Sequence, residues 1–121
     1  MERLKRRSEF LKASRAAKHA AKGVVLQARK RGDTAPPRIG FTVTKKIGNA
    51  PRRNRVKRRL REAARLVMPD YARCGFDYVL IGRQETLRRD FNALKDDLAT
   101  ALAKVHKAAG NADGTETARN A

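Results

Sequence analysis

The 121-residue chain has no tryptophan, one cysteine, two histidines and only six phenylalanines and tyrosines. A lone thiol, Cys74, excludes an internal disulfide and fits a reducing compartment, where its bland reading is a partly buried side chain. His19 and His106 lie far apart, and neither metal-ligand spacing nor a glycine-rich nucleotide loop is present. The one adjacent acid pair, Asp96-Asp97, reads as the solvated edge of a helix, because helical neighbours point about 100° apart and do not converge on one reacting atom. These absences leave the polypeptide without a catalytic residue or a metal site of its own. Long apolar runs are missing too, so neither a membrane span nor a signal peptide is expected. For the Arg-rich, acid-poor start a mitochondrial transit peptide is the alternative reading.

Acidic residues are scarce as well: 12 face 30 Lys and Arg, for a formal charge of +18. The excess is not spread evenly. Residues 1–65 hold 22 bases and 4 acids, whereas residues 66–121 hold 8 of each. Such asymmetry points to a polyanion-facing surface assembled from the first half of the chain. The length fits a single domain with one modest core, over residues 1–107, followed by a small, polar, aperiodic tail at 108–121 that is expected to be disordered.

Local patterns predict an α+β fold: a small mixed sheet and three helices in the order α-β-β(β)-α-β-α. A first helix is expected from about Ser8, a possible cap, to about Ala21, where Gly23 breaks it. Residues 24–28 form a short strand candidate, followed by a charged, Pro- and Gly-containing loop over 29–37. In residues 38–46 (RIGFTVTKK), Ile39, Phe41 and Val43 alternate with Arg38, Gly40, Thr42, Thr44 and Lys46, so one face is core and the other an open polar floor. A second helix is expected from near Pro51 to about Met68, stopped by Pro69. Residues 76–83 (FDYVLIGR) read as a central strand covered on both faces and parallel to an earlier one. A last helix over 89–107 buries Phe91, Leu94, Leu98, Leu102 and Val105.

The basic segment is the feature that composition leaves to be explained. Residues 45–65 carry ten Lys and Arg and a single acid. On the second helix Val56, Leu60, Ala63, Ala64 and Val67 form one apolar stripe, which puts Asn54, Arg58, Arg61 and Arg65 on the opposite side and Arg55, Lys57 and Arg59 on the flanks. Like charges at helical neighbours repel by tenths of a kcal/mol each, so a helix with this load is built for something that neutralises it. Phosphate suits it, since arginine forks two N–H donors onto phosphate oxygens. Charge alone leaves an RNA-enzyme subunit, a ribosomal-type structural protein and a DNA-binding module open. The helix follows a strand through KKIGNAP, not the short turn and supporting helix usual for major-groove readers.

The stretch RIGFTVTKKIGNAPRRNRVKRRLRE closely resembles the hallmark segment of the bacterial ribonuclease P protein family, including its Arg-Asn-Arg motif at Arg53, Asn54 and Arg55. The likeness extends more weakly over about residues 3–107. It implies a ribosomal protein S5 domain 2-like fold with a left-handed strand–helix–strand crossover, against the usual hand. It also implies a cytoplasmic ribonucleoprotein, monomeric in this protein, in which a large RNA subunit is the catalyst. That enzyme removes the 5′ leader of precursor tRNA with Mg2+ bound mainly by the RNA. Carried onto this sequence, the resemblance assigns Arg53, Asn54, Arg55, Lys57, Arg58, Arg59, Arg61 and Arg65 to the catalytic RNA. Phe10, Thr42 and Thr44, with Lys45 and Lys46 at the rim, would line a cleft for the single-stranded leader, although Phe10 reads equally well as core. Where relatives often carry further aromatics, this chain has Ser14 and the pair Val24-Val25.

Overall fold

The computed structural model describes residues 1–110. It begins with a two-residue strand, β1 (Glu2–Arg3), followed by α1 (Arg7–Ser14), β2 (Ala17–Ala20), β3 (Val24–Lys30) and β4 (Arg38–Thr42). A 3₁₀ turn (Lys45–Ile47) leads into α2 (Ala50–Tyr71), β5 (Phe76–Gly82), the short α3 (Glu85–Arg88) and α4 (Phe91–Gly110). The α+β class holds; β2 takes up the optional third strand of the expected order, and β1 and α3 are additions to it. Part of the expected tail, 108–110, continues α4, and 111–121 lie outside the described residues.

The sheet is mixed, in the order β1-β4-β5-β3-β2. Its central strand is β5, parallel to β4 and antiparallel to β3, as the run of Val79, Leu80 and Ile81 leads one to expect. Helix α2 makes the crossover from β4 to β5. Together with α4 it packs on one sheet face, where Val56, Leu60 and Val67 meet Leu94, Leu98 and Leu102 above Leu26, Tyr78 and Leu80. Full burial of each such side chain stabilises the fold by about 1.5–3 kcal/mol before entropy is counted. The opposite face carries a smaller cluster of Leu4, Ala13 and Val79, with Phe10 and Ile81 packed at its edge.

Four local expectations are corrected. The first helix ends at Ser14, whose hydroxyl donates to the Leu11 carbonyl at 2.6 Å, and residues 17–20 form an edge strand paired with β3. Their Ala- and Lys-rich composition favours helix, but pairing with β3 and packing beneath α4 outweigh that weak preference. The residue before α1 is Arg6, not Ser8, and Glu9 satisfies the Lys5 and Arg6 N–H groups from within the first turn. Pro69 does not stop α2. It withholds one N–H from the Arg65 carbonyl, a small loss in a last turn, and the Ala72 N–H still closes onto Met68 at 2.7 Å. Cys74 is exposed, on the short link between α2 and β5.

Asp97 is also more than a solvated edge. It accepts from the Gly23 N–H at 3.0 Å and pairs with Arg89 at 2.8 Å, so the β2–β3 turn is pinned to α4. Thr86 adds a hydrogen bond to the Gly23 carbonyl at 2.7 Å.

Candidate nucleic-acid interface

Strand pairing arranges the sheet face away from α2 as three transverse rows. At one end Arg38, Asp77 and Arg29 stand side by side; in the middle come Gly40, Val79, Gln27 and Lys18; at the other end are Thr42, Ile81, Val25 and Ala20. The middle row is buried across β4, β5 and β3, and α1 packs on this side with Phe10 and Ala13. The last row remains half-buried or exposed. A floor of small and branched side chains thus opens beside the wall that Phe10 forms.

The charged row holds that wall in place. Asp77 is fully buried and accepts from Arg38 at 2.8 and 2.9 Å and from Arg31 at 2.6 Å, with Arg29 at 3.3 Å. Arg38 then reaches Glu9 of α1 at 2.6 Å. Burial alone would raise the Asp77 carboxyl, but the hydrogen bonds from Arg38 and Arg31 outweigh it and keep the group below the ordinary carboxylate value. The Glu9 carboxyl is held low chiefly by its hydrogen bond from the Arg6 N–H, with Arg38 adding to the effect. Through Glu9, Arg38 and Asp77, α1 is tied to the central strand, and Phe10 is the next residue along.

Thr42 sits on the open row as the alternation predicts, whereas Lys45 and Lys46 are exposed on the 3₁₀ turn and Thr44 is exposed just before it. Arg52 braces this turn, donating to the Ile47 carbonyl at 3.0 Å and to Gln84 at 3.0 Å, while Gln84 donates to the Lys46 carbonyl at 3.0 Å. The turn ends at Gly48, whose φ of 141° few side-chain-bearing residues adopt. Asn49 then caps α2 by accepting from the Arg52 N–H at 3.0 Å.

Along α2 the expected outer face exists. Asn54, Lys57, Arg58, Arg61 and Arg65 line one shallow groove, joined by Glu62, which pairs with Arg65 at 2.5 Å. Arg55 is exposed on the flank. Arg53 is half-buried, and its Nε finds no acceptor among the described residues. Arg59 has a different setting: its guanidinium lies 5.6 Å from the Phe91 ring centre, donates from Nε to the Thr86 carbonyl at 2.9 Å and from Nη2 to the Arg89 carbonyl. Two of its donor groups therefore serve to hold α3 and the start of α4.

Several residues around these surfaces escape a reading of the sequence. Val25, Ile81 and Ala20 complete the floor, but they join Thr42 only through cross-strand register, which leaves no local signal. Val24 is in the main core, so of the Val24-Val25 pair only Val25 faces the floor. Ser14 is exposed at the end of α1.

Comparison with known proteins puts this geometry in context. The family model described as Ribonuclease P matches residues 1–106. The chain is 58% identical over 106 residues to the ribonuclease P protein component of Ruegeria pomeroyi, covering 85% of each. It is 57% identical over 104 residues to that of Gluconacetobacter diazotrophicus, covering 85% of this chain and 90% of the relative. Among solved structures, the Staphylococcus aureus RNase P protein superimposes with a TM-score of 0.70 at 27% identity, over 87% of this chain and 97% of that one. The Thermotoga maritima protein gives 0.67 at 33% identity, over 83% and 94%.

Proposed function

The chain belongs to the ribonuclease P protein family, whose members are components of an endoribonuclease with an RNA partner, and on that premise we propose how its surfaces divide the work. The outer face of α2 binds the catalytic RNA, and the floor between α1 and the sheet receives the single-stranded 5′ leader of precursor tRNA. The observation that carries this reading is the concentration of Asn54, Lys57, Arg58 and Arg61 on one exposed groove of α2, when other arginines of the chain are spent on internal partners.

The division follows from chemistry. A helix face of guanidinium and ammonium groups tracks phosphates without regard to sequence, which suits a grip on a folded RNA. The floor of Thr42, Ile81, Val25 and Ala20 offers no comparable charge. Phe10 provides a flat wall on which an unpaired base can stack, and Lys45 and Lys46 attract the phosphates that follow it. With Ser14 and Val25 in place of further aromatics, stacking in this cleft rests on Phe10.

The protein positions and the RNA reacts. Cleavage gives tRNA with a 5′ phosphate and a leader with a free 3′ hydroxyl. Magnesium would be held mainly by the RNA. One copy of the chain per RNA, working in the cytoplasm, completes the proposal.

Reconstitution tests it. The purified protein mixed with bacterial ribonuclease P RNA at low magnesium should stimulate 5′ processing of precursor tRNA, and the gain should be larger for substrates with a leader of several nucleotides than for those with one. Absence of any stimulation would overturn the assignment.

A further inference from the structure

We propose that the groove between the outer edge of β4 and the C-terminal half of α2 docks one unpaired nucleobase of the bound RNA. This inference rests on the reading of α2 as an RNA-binding face and adds to it a site for a base. The groove lies on the α2 side of the sheet, away from the floor beside Phe10.

Its origin is the shortness of β1. That strand pairs with β4 only at Arg38 and Ile39, so the edge of β4 at Phe41 has no strand beside it. Phe41 is half-buried there, and with Ala64, Met68 and Pro69 of α2 it makes an apolar floor. Arg3, Arg61 and Arg65 stand at the rim. Two of them lie over the same aromatic ring: the guanidinium carbon of Arg3 is 5.2 Å from the Phe41 ring centre, and that of Arg61 is 6.0 Å. Both arginines are exposed, and among the described residues no hydrogen bond or carboxylate partner is seen for either guanidinium. Cation–π contacts of this kind are weak at exposed sites.

An apolar floor with an aromatic ring and an arginine rim matches the chemistry of a nucleotide. A base has a flat π face for Phe41 and an apolar thickness for Met68, and its phosphate draws the arginines. Arg61 and Arg65 also line the outer groove of α2, so a strand whose phosphates follow that face passes the mouth of this one. The base must be unpaired, because a base inside a duplex has both its faces already stacked. An apolar peptide side chain would fit the floor but would leave the rim without counter-charge; of the two acids on this half of α2, Glu62 is already paired with Arg65 and Asp70 does not line the groove.

The chain has two methionines, Met1 and Met68, and both line this groove, so methyl-labelled methionine gives two signals that each sense it. The full chain would be titrated with a mixed-sequence single-stranded RNA octamer, an abasic ribose-phosphate octamer, a blunt RNA duplex and an acidic peptide. The proposal expects upfield ring-current shifts of the Met68 methyl with the single strand, and much smaller ones with the other three. Phe41→Leu, which keeps the apolar packing and loses the flat ring, should weaken single-strand binding by about tenfold while leaving duplex binding nearly unchanged. If the abasic octamer or the peptide moves Met68 as far as the single strand does, the nucleobase site is wrong. If Phe41→Leu does not fold, the methyl shifts of the unsubstituted chain decide. Should Met68 stay still while Arg58→Ala weakens RNA binding, only this inference fails; if no RNA binds at all, the reading of α2 fails with it.

Discussion

The ring of Phe10 rests on the backbone of Gly40: a Cβ built on Gly40 would stand 2.6 Å from two of its ring carbons. The wall of the candidate leader cleft is therefore seated by the absence of a side chain on β4. Gly40→Val should lift the ring off the sheet. The expected outcome is weaker binding of precursor tRNA with a long leader, seen as a higher KM, with affinity for the RNA subunit unchanged. Equal loss for leaderless and leader-bearing substrates would show that Phe10 does not serve the leader.

The neighbouring arginines of α2 should behave differently. Replacing Arg58 and Arg61 together with Ala removes two exposed cations and should leave the fold intact, weaken RNA binding and flatten the salt dependence by roughly 1–2 in log–log slope. Arg59→Ala should instead lower stability by about 1–3 kcal/mol, since the Thr86 and Arg89 carbonyls lose their donor. Leu60→Ala, in the core, should lose about 2–5 kcal/mol. Denaturant titration and binding measured across a salt series separate the three.

Acid should destabilise the chain through a buried pair. The Tyr78 hydroxyl lies 2.6 Å from His106 Nε2 and accepts from the Arg73 N–H at 2.9 Å, an arrangement that takes a neutral ring with its proton on Nδ1. Burial, helped by Arg73, pushes His106 down to about 4. Between that value and the ordinary 6.5 the unfolded chain binds the extra proton, so stability is complete above 6.5 and falls as pH drops towards 4. The loss amounts to roughly 3 kcal/mol in all. Urea unfolding at pH 7 and pH 5 should show it, and His106→Phe should flatten the dependence; an unchanged slope in that variant would remove His106 as the cause.

Asp77 makes a further prediction. Asp77→Asn keeps the shape but leaves Arg38 and Arg31 without their buried counter-charge, and a loss of about 3–5 kcal/mol is expected. Amide hydrogen exchange should accelerate in α1 more than in α4, because Arg38 links Asp77 to Glu9 of α1. Uniform acceleration would mean that the cluster supports the whole sheet and not α1 in particular.

Much of this molecule is legible in a single line of residues. Apolar spacing alone placed the buried stripe of α2, and with it the outward direction of Asn54, Arg58, Arg61 and Arg65, because helical geometry is local and repeats every few residues. The same holds for the alternation of Ile39 and Phe41 with Gly40 and Thr42, and for the parallel pairing of a strand that follows a helix. What tertiary structure alone decided is how equal-looking charges were allotted. Arg58 and Arg59 are adjacent and alike in sequence, yet one is exposed in a groove and the other holds two carbonyls of α3 and its exit. Register brought Val25 and Ile81 beside Thr42, and the two-residue length of β1 left Phe41 uncovered. The outer face of a helix follows from its own periodicity, whereas a row across strands or a partner for a buried carboxylate depends on residues dozens of positions apart, whose meeting is set by packing.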